Sequence, residues 1–390
     1  MTLDGEPLAY ELEYDWENTE NIIYGKKKGA ICDPGRKTGR LEIEYEGYPT
    51  LARSVYSMVG YQFFDSIGRN YIKLGSDVLA PEFTGLSGEK ESFCINVPKD
   101  HVPTSRGEVM ERIRENPDGT VKWKVENSCP EIVSAPYRVE QLDYASFDTV
   151  FEYAGRYQKL VEENHMDEAA KEVLNYCDSH YGHLKGAADS DSIRIQQISS
   201  DYGGGGAYDG WVYMGEQFLS PKALLDKNAG TNLNETFMHE IIHLFWGDMG
   251  CWIEDDGLWS AEGLTVYTTY RMIKEKYGEL YARKYYVDRW KEEVRHQDHN
   301  FYFRNPQYLD RLPEKYKAAI IASEDSINKY CRMPLMLLKA QEKLGGEKAM
   351  DDVLKRFYEQ GGAFGTVENP ATFQDFLDAA GLTKEDMTID

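Results

Sequence analysis

Two histidines four residues apart inside an almost wholly apolar stretch, His239-Glu240-Ile241-Ile242-His243, limit this chain more than any other feature. Thr236, Phe237, Met238, Leu244, Phe245 and Trp246 flank them and predict a buried helix across both. Residues i and i+4 share a helix face, so the two imidazoles can address a single ion. A solvated face or a hydrogen-bonded core pair would use the same spacing, but imidazoles without partners are costly to bury among such neighbours. Glu240 follows the first histidine and projects beside an ion rather than onto it, as suits a base taking a proton from water. Catalytic zinc commonly has three protein ligands and one open position. Glu262, with eighteen residues between it and His243, is the candidate third ligand, in the next predicted helix beyond a loop containing Gly247, Asp248, Gly250, Asp255, Asp256 and Gly257. The expected site is one zinc ion on His239, His243 and Glu262, with Glu240 as the base.

The 390 residues suffice for two or three domains, and 41% hydrophobic with 28% charged residues is a globular composition. A net charge of −23 repels nucleic acid and anionic membranes, so neither is an expected partner, and a neutral or cationic substrate suits the field better. Cys32, Cys94, Cys129, Cys177, Cys251 and Cys331 contain no C-x-x-C pair and read as free thiols rather than a disulfide framework. No apolar run approaches the roughly 18 residues of a spanning helix. The acidic start, MTLDGEPLAYELEYDWENTEN, has no basic or apolar export region. A cytoplasmic chain and a soluble part excised from a longer protein both fit that beginning.

Residues 1 to about 140 read as a mainly β domain. An edge strand with loops is expected over the first forty. Strands follow at Leu41–Gly47, Ser92–Val97 and Val121–Val125, with Asn116-Pro117-Asp118-Gly119 as a hairpin turn. From 141 to 390 the pattern turns mixed and then helical. Helical periodicity is read over Phe147–Glu163 and Met166–Tyr181, then a strand at Ser192–Ile198. The run Gly203-Gly204-Gly205-Gly206 lacks the Lys-Ser/Thr of a phosphate loop. Trp211–Phe218 reads as a short strand, and Asn232 or Asn234 as the cap of the histidine helix. Helices are expected at Leu264–Tyr277, Glu279–Val294, Ser326–Leu344, Glu347–Gln360 and Ala371–Ala380, with Asp298–Lys317 loop-like.

With these residues in place the chain resembles the gluzincin zinc aminopeptidases, the family of aminopeptidase N and leukotriene A4 hydrolase. His239, Glu240, His243 and Glu262 match its zinc motif, Phe245-Trp246-Gly247 its aromatic-Gly step, and Leu258-Trp259 with Glu262-Gly263 its Leu-Trp and Glu-Gly elements. Tyr330-Cys331-Arg332-Met333 resembles the family's Tyr-x-Lys-Gly, which puts Tyr330 at its transition-state tyrosine. The resemblance implies an α+β fold: a β-rich, saddle-like N-terminal domain, then a thermolysin-like zinc-peptidase domain, in a short form without the helical C-terminal domain. It also implies peptide hydrolysis, in which zinc polarises the scissile carbonyl and activates water, Glu240 moves the proton, and Tyr330 donates to the oxyanion.

The departures bear on specificity. Where the family carries Gly-x-Met-Glu-Asn, whose glutamate holds the substrate's α-amine, this chain has Gly206-Ala207-Tyr208-Asp209-Gly210. Gly206, Ala207, Tyr208 and Asp209 are therefore the expected substrate-binding residues, with Asp209 a shorter stand-in for the glutamate. Ala261 replaces the usual Asn, Met333 the usual Gly, and only Pro81-Glu82-Phe83 stands near the place of the family's Cys-x-Asp-Glu-Pro. Glu235 and Asp248 are candidate outer partners of the histidines. Three functions follow: an aminopeptidase-like hydrolase, an endopeptidase or other amide hydrolase with no amine anchor, and a non-catalytic zinc-containing binding domain. His180/His183 and His296/His299 read as incidental pairs, and Asp255-Asp256-Gly257 lacks the rest of a calcium loop.

Overall fold

The structure, a computed structural model, describes residues 1–19, 22–31, 39–44, 66–68, 70–75, 92–106, 108–126, 131–145, 147–186, 192–198, 205–219, 235–247, 249–360 and 365–389. The fold is α+β, with β-sheets in the N-terminal part and helices dominating the C-terminal part. Strands Tyr10–Thr19 and Ile22–Ile31 form a hairpin whose register sets Glu13 opposite Lys28 and Asp15 opposite Lys26. The first forty residues thus hold paired strands where an edge strand with loops was expected. A glycine-flanked lysine run resembles a loop until its acidic partner strand is known.

Ser92–Pro98, Thr120–Glu126 and Glu111–Glu115 build one antiparallel sheet, with Asn116–Gly119 turning between the last two and Gly119 at φ +85°. A five-stranded sheet runs from Glu108–Val109 through Val102–Ser105, Ile132–Ala135 and Ile72–Leu74 to Ser66–Ile67. Of the strand expected at Leu41–Gly47, Leu41–Glu42 is a strand; 45–47 lie outside the described residues, as do Pro81-Glu82-Phe83.

The second half is built on the sheet Tyr137–Tyr144, Phe147–Ala154, Ser192–Ile198, Trp211–Gly215 and Gly205–Tyr208, in that spatial order. The middle three strands are parallel and the two outer ones antiparallel to their neighbours. Residue 140 falls inside a strand that belongs wholly to this sheet, so we propose the domain division at Pro136, between strands of different sheets. The helical reading of Phe147–Glu163 is corrected: Phe147–Ala154 is a strand, and the helix begins at Gln158. Its last six residues are all buried, and covering a strand on both faces erases the alternation that identifies one.

Helix Met166–Tyr181 buries Ala170, Val173, Leu174 and Cys177 in one continuous core, which also receives Phe237 and Ile241 from the histidine helix and Trp246 from the turn beyond it. The loop-like reading of Asp298–Lys317 is also corrected. It holds a short helix at Phe301–Arg304, a 3-10 turn at Pro306–Arg311 and the start of helix Glu314–Ile327. That helix leads through a π-turn, Asn328–Arg332, into Met333–Leu344. Pro334 explains the π-turn. It has no N–H for the Tyr330 carbonyl four residues back, and its ring crowds that carbonyl.

Helix Ala261–Tyr277 is tied to Glu347–Glu359 by Arg271, which is 2% exposed and grips Asp351 through two bonds of 2.9 and 3.1 Å. Asp351→Ala leaves that guanidinium buried with its main partner gone, and is expected to cost about 3 kcal/mol. Urea unfolding of the variant checks this, and a loss under about 1 kcal/mol would show that Tyr267, which accepts from the guanidinium at 3.2 Å, and Glu347, 3.8 Å away, hold the arginine unaided.

Candidate metal and hydrolytic site

Helix Glu235–Ile242 carries Glu240 and His239, and the His243 N–H donates to the His239 carbonyl at 3.2 Å, which keeps His243 in helical register. Beyond it the chain tightens, with Leu244 and Phe245 bonding three residues back, and turns at Gly247. A Cβ on Gly247 would come 2.5 Å from the His243 carbonyl oxygen. The candidate cap residues Asn232 and Asn234, and Asp248, lie outside the described residues.

The next helix is delivered by a braced loop. Asp256 accepts from the Leu258 and Trp259 N–H groups, Asp255 accepts from Gly257 at φ +88°, and Lys329 pairs with Asp255 at 2.6 Å. The two aspartates are thus turn residues. Ile253 bridges to Ala371, and Trp259, 1% exposed, donates to the Ala371 carbonyl and packs against Phe357, Phe373 and Phe376. Ser260 caps the helix by accepting from Gly263, which puts Glu262 in the first turn, where the helix dipole favours a carboxylate.

These elements bring His239, His243 and Glu262 together. His239 Nε2 lies 2.9 Å and His243 Nε2 3.1 Å from one Glu262 oxygen, and the two nitrogens are 3.0 Å apart. Tetrahedral zinc with bonds near 2.0–2.1 Å separates its ligand atoms by about 3.3 Å. The donor set therefore fits such an ion in number, element and spacing. Among the described residues it is the one such group. Burial acts to raise the Glu262 carboxyl, and the adjacent imidazoles overcome it, holding the group below the usual carboxylate range. Thr265, three residues on along the same helix, places its hydroxyl 3.3 Å from His243 Nδ1 and fixes which nitrogen faces the centre. The i, i+3 relation to Glu262 was the available sequence signal for Thr265.

Glu240 is 7% exposed, and burial pushes its carboxyl above the usual range. It faces the edge strand: a Cβ on Gly205 would stand 2.7 Å from Glu240 Cδ and 2.8 Å from Oε1. Gly205 was not among the expected site residues, and only the fold reveals what its missing side chain makes room for. Tyr330, inside the π-turn, stacks on the His239 ring with centroids 6.1 Å apart and planes at 26°.

The other expected positions spread along the edge strand. Gly206 backs onto Tyr213, Ala207 is half-buried, and Tyr208 is 44% exposed beneath the Arg106 guanidinium. Asp209 and Gly210 form the two-residue turn of the hairpin, at φ +47° and +78°, the left-handed pair that such a turn requires. The turn accounts for the residue type at 209. Asp209 also lies four residues beyond Gly205, about 13 Å along an extended strand. Glu235 accepts from Tyr286. His180 is bonded to the Tyr176 carbonyl, His183 to Asp178 and His299 to the Arg295 carbonyl.

The same architecture occurs in native yeast LTA4 hydrolase, with TM-score 0.50 and 13% identity over 97% of this chain and 56% of that one. It occurs also in a mutant form of an M1 zinc metallopeptidase from Deinococcus radiodurans, with TM-score 0.52 and 14% identity over 99% of this chain and 83% of that one. This chain has the gluzincin aminopeptidase-like fold. It spans little more than half the length of the yeast hydrolase. Comparison with protein-family models and with curated proteins gives no match. No helix among the described residues is long and apolar enough to cross a membrane.

The site predicts its own metal chemistry. Dialysed chain is expected to take up one zinc per molecule by atomic absorption. Glu262→Ala should weaken binding by more than about 100-fold and Thr265→Val by about tenfold, the range for losing an outer partner.

Proposed function

We propose that this chain is a zinc-dependent peptidase of aminopeptidase-like type. The observation that carries the reading is the convergence of His239, His243 and Glu262 beside a buried Glu240 and a stacked Tyr330. Zinc on those three ligands would polarise a scissile carbonyl and activate water. Glu240, whose carboxylate is made more basic by burial, is suited to take the proton of the attacking water and hand it to the leaving amine. Tyr330, whose ring stacks on His239, would donate its O–H to the oxygen that gains charge in the transition state. The Gly205–Tyr208 strand, at the sheet edge beside Glu240, offers main-chain groups to an extended peptide. Retention of Glu240, which has no ligand duty, weighs against a non-catalytic zinc domain.

A second reading, an endopeptidase or other amide hydrolase that needs no free amine, is favoured by the placement of Asp209. An α-amine anchor must sit within reach of the substrate's first residue, and Asp209 is spent on the turn at the far end of the strand. One peptide assayed with free and with acetylated N-terminus separates the two. A free-amine preference above about tenfold supports the aminopeptidase reading and equal rates the endopeptidase.

Glu240→Gln is expected to lower kcat by at least about a thousandfold while zinc content stays at one, and Tyr330→Phe to lower it by about a hundredfold with KM little changed. Chelation should abolish turnover and added zinc restore it. Wild-type rates persisting in Glu240→Gln would sink the hydrolase reading.

A further inference from the structure

We propose that Met333 is a positioning residue that sets Tyr330 against the metal-binding side of the site. This rests on the reading of Tyr330 as the oxyanion donor.

Met333 is the first residue after the π-turn that carries Tyr330, and it is 1% exposed. Its side chain lies in the space that Gly263 leaves open. A Cβ there would come 2.5 Å from Met333 Cγ and 2.8 Å from its Cβ, and closer still to the sulfur. The same sulfur accepts the Ser260 backbone N–H at 3.3 Å and lies 3.9 Å from the Ser260 hydroxyl. Ser260 and Gly263 are the two ends of the capping turn that holds Glu262. One thioether therefore joins the support of a metal ligand to the support of the tyrosine.

Other ties hold the π-turn through residues other than Tyr330 and Met333. Lys329 pairs with Asp255 and Asp325, and Arg332 with Asp298, carboxylates that are 56%, 46% and 49% exposed, while Arg332 and Asn328 also bond Gln297, which is 3% exposed. Ion pairs that open to water contribute little and hold geometry loosely. The Met333 contact is dry and closely packed, and its three rotatable bonds let it fill an irregular gap.

The test uses the full zinc-loaded chain with Gly263→Ala, Met333→Ala and the double variant, each also combined with Tyr330→Phe. Gly263→Ala is expected to lower kcat about thirtyfold with KM changed less than about threefold and zinc still at one per chain. Adding Met333→Ala makes room for the new methyl while giving up the same contact, so the double variant should be no slower than Gly263→Ala alone and the two effects are not multiplicative. In the Tyr330→Phe background Gly263→Ala should cost less than about twofold, because the residue it acts through is already disabled. An equal cost in both backgrounds, or a double variant as slow as the product of the singles, overturns the proposal.

If Gly263→Ala does not fold, Met333→Gly replaces it, with an expected loss of about tenfold confined to the Tyr330 background and rescue to within about threefold by the isovolumetric Met333→Leu. A readout independent of turnover is the ring-current shift of Tyr330 on the His239 imidazole protons, measured in histidine-labelled chain against Tyr330→Leu, which has no ring. Met333→Gly should remove more than about half of it. A wild-type chain with no peptidase activity but with that shift lost in Met333→Gly would defeat the functional reading and leave the positioning role standing. An unchanged shift would defeat the positioning role alone.

Discussion

Three candidate ligand atoms lie within 3.1 Å of one another against a wall of apolar side chains, and the surrounding architecture serves that arrangement. Two imidazole nitrogens and a carboxylate oxygen brought together in this way present lone pairs to a common point. A divalent cation held at that point would offset the repulsion. The cost of assembling the cluster is met by rigid parts: Trp246 and Phe237 bury the histidine helix, and Trp259 fixes the loop that delivers Glu262. Ser260 closes the first turn of the glutamate helix, and Thr265 turns the second imidazole to the correct edge. Thr265 steadies an imidazole carried by the other helix, whereas Phe237, Trp259 and Ser260 steady the elements to which they themselves belong.

Much of this could be read from the sequence, for a physical reason. His239, His243 and Glu240 are related by helical spacing, which is local, and Glu262 lies on the next helix across a braced loop. Strands such as Thr120–Glu126 alternate visibly because one face meets water. The failures come from the opposite situation. Phe147–Ala154, buried along most of its length, shows no period, and the lysine-rich strand Ile22–Ile31 makes sense only beside an acidic partner. Pro334 signalled a break in a helix drawn straight through it, but that it would make a π-turn rather than an end depends on packing. Asp209 matched a motif in residue type while its neighbour Gly210 already marked a two-residue turn, and turn chemistry was the stronger local signal.

Gly205 shows why a glycine-rich stretch resists interpretation in isolation. Its demand is set by a side chain thirty-five positions away, since Glu240 occupies the volume a Cβ would need. The absence of a side chain on the strand and the presence of a buried carboxylate on the helix are a single feature divided between two parts of the chain. Moving either element by one residue would put a side chain into the carboxylate or leave a void behind it.

The π-turn at Asn328–Arg332 has a consequence for phase. An inserted residue rotates everything beyond it by about 100° relative to everything before it. The rod from Glu314 to Leu344 therefore carries two faces out of step. Asp325, before the turn, pairs with Lys329 inside it, and Lys329 reaches the Asp255 loop; after the turn, Met333, Leu337 and Ala340 are buried in the core. Tyr330 occupies the changeover, where neither face alone would aim a side chain at His239. The number of residues between Asp325 and Met333 is thus as tightly specified as their identities: one fewer would turn the buried face that begins at Met333 by about 100° relative to the face that holds Asp325.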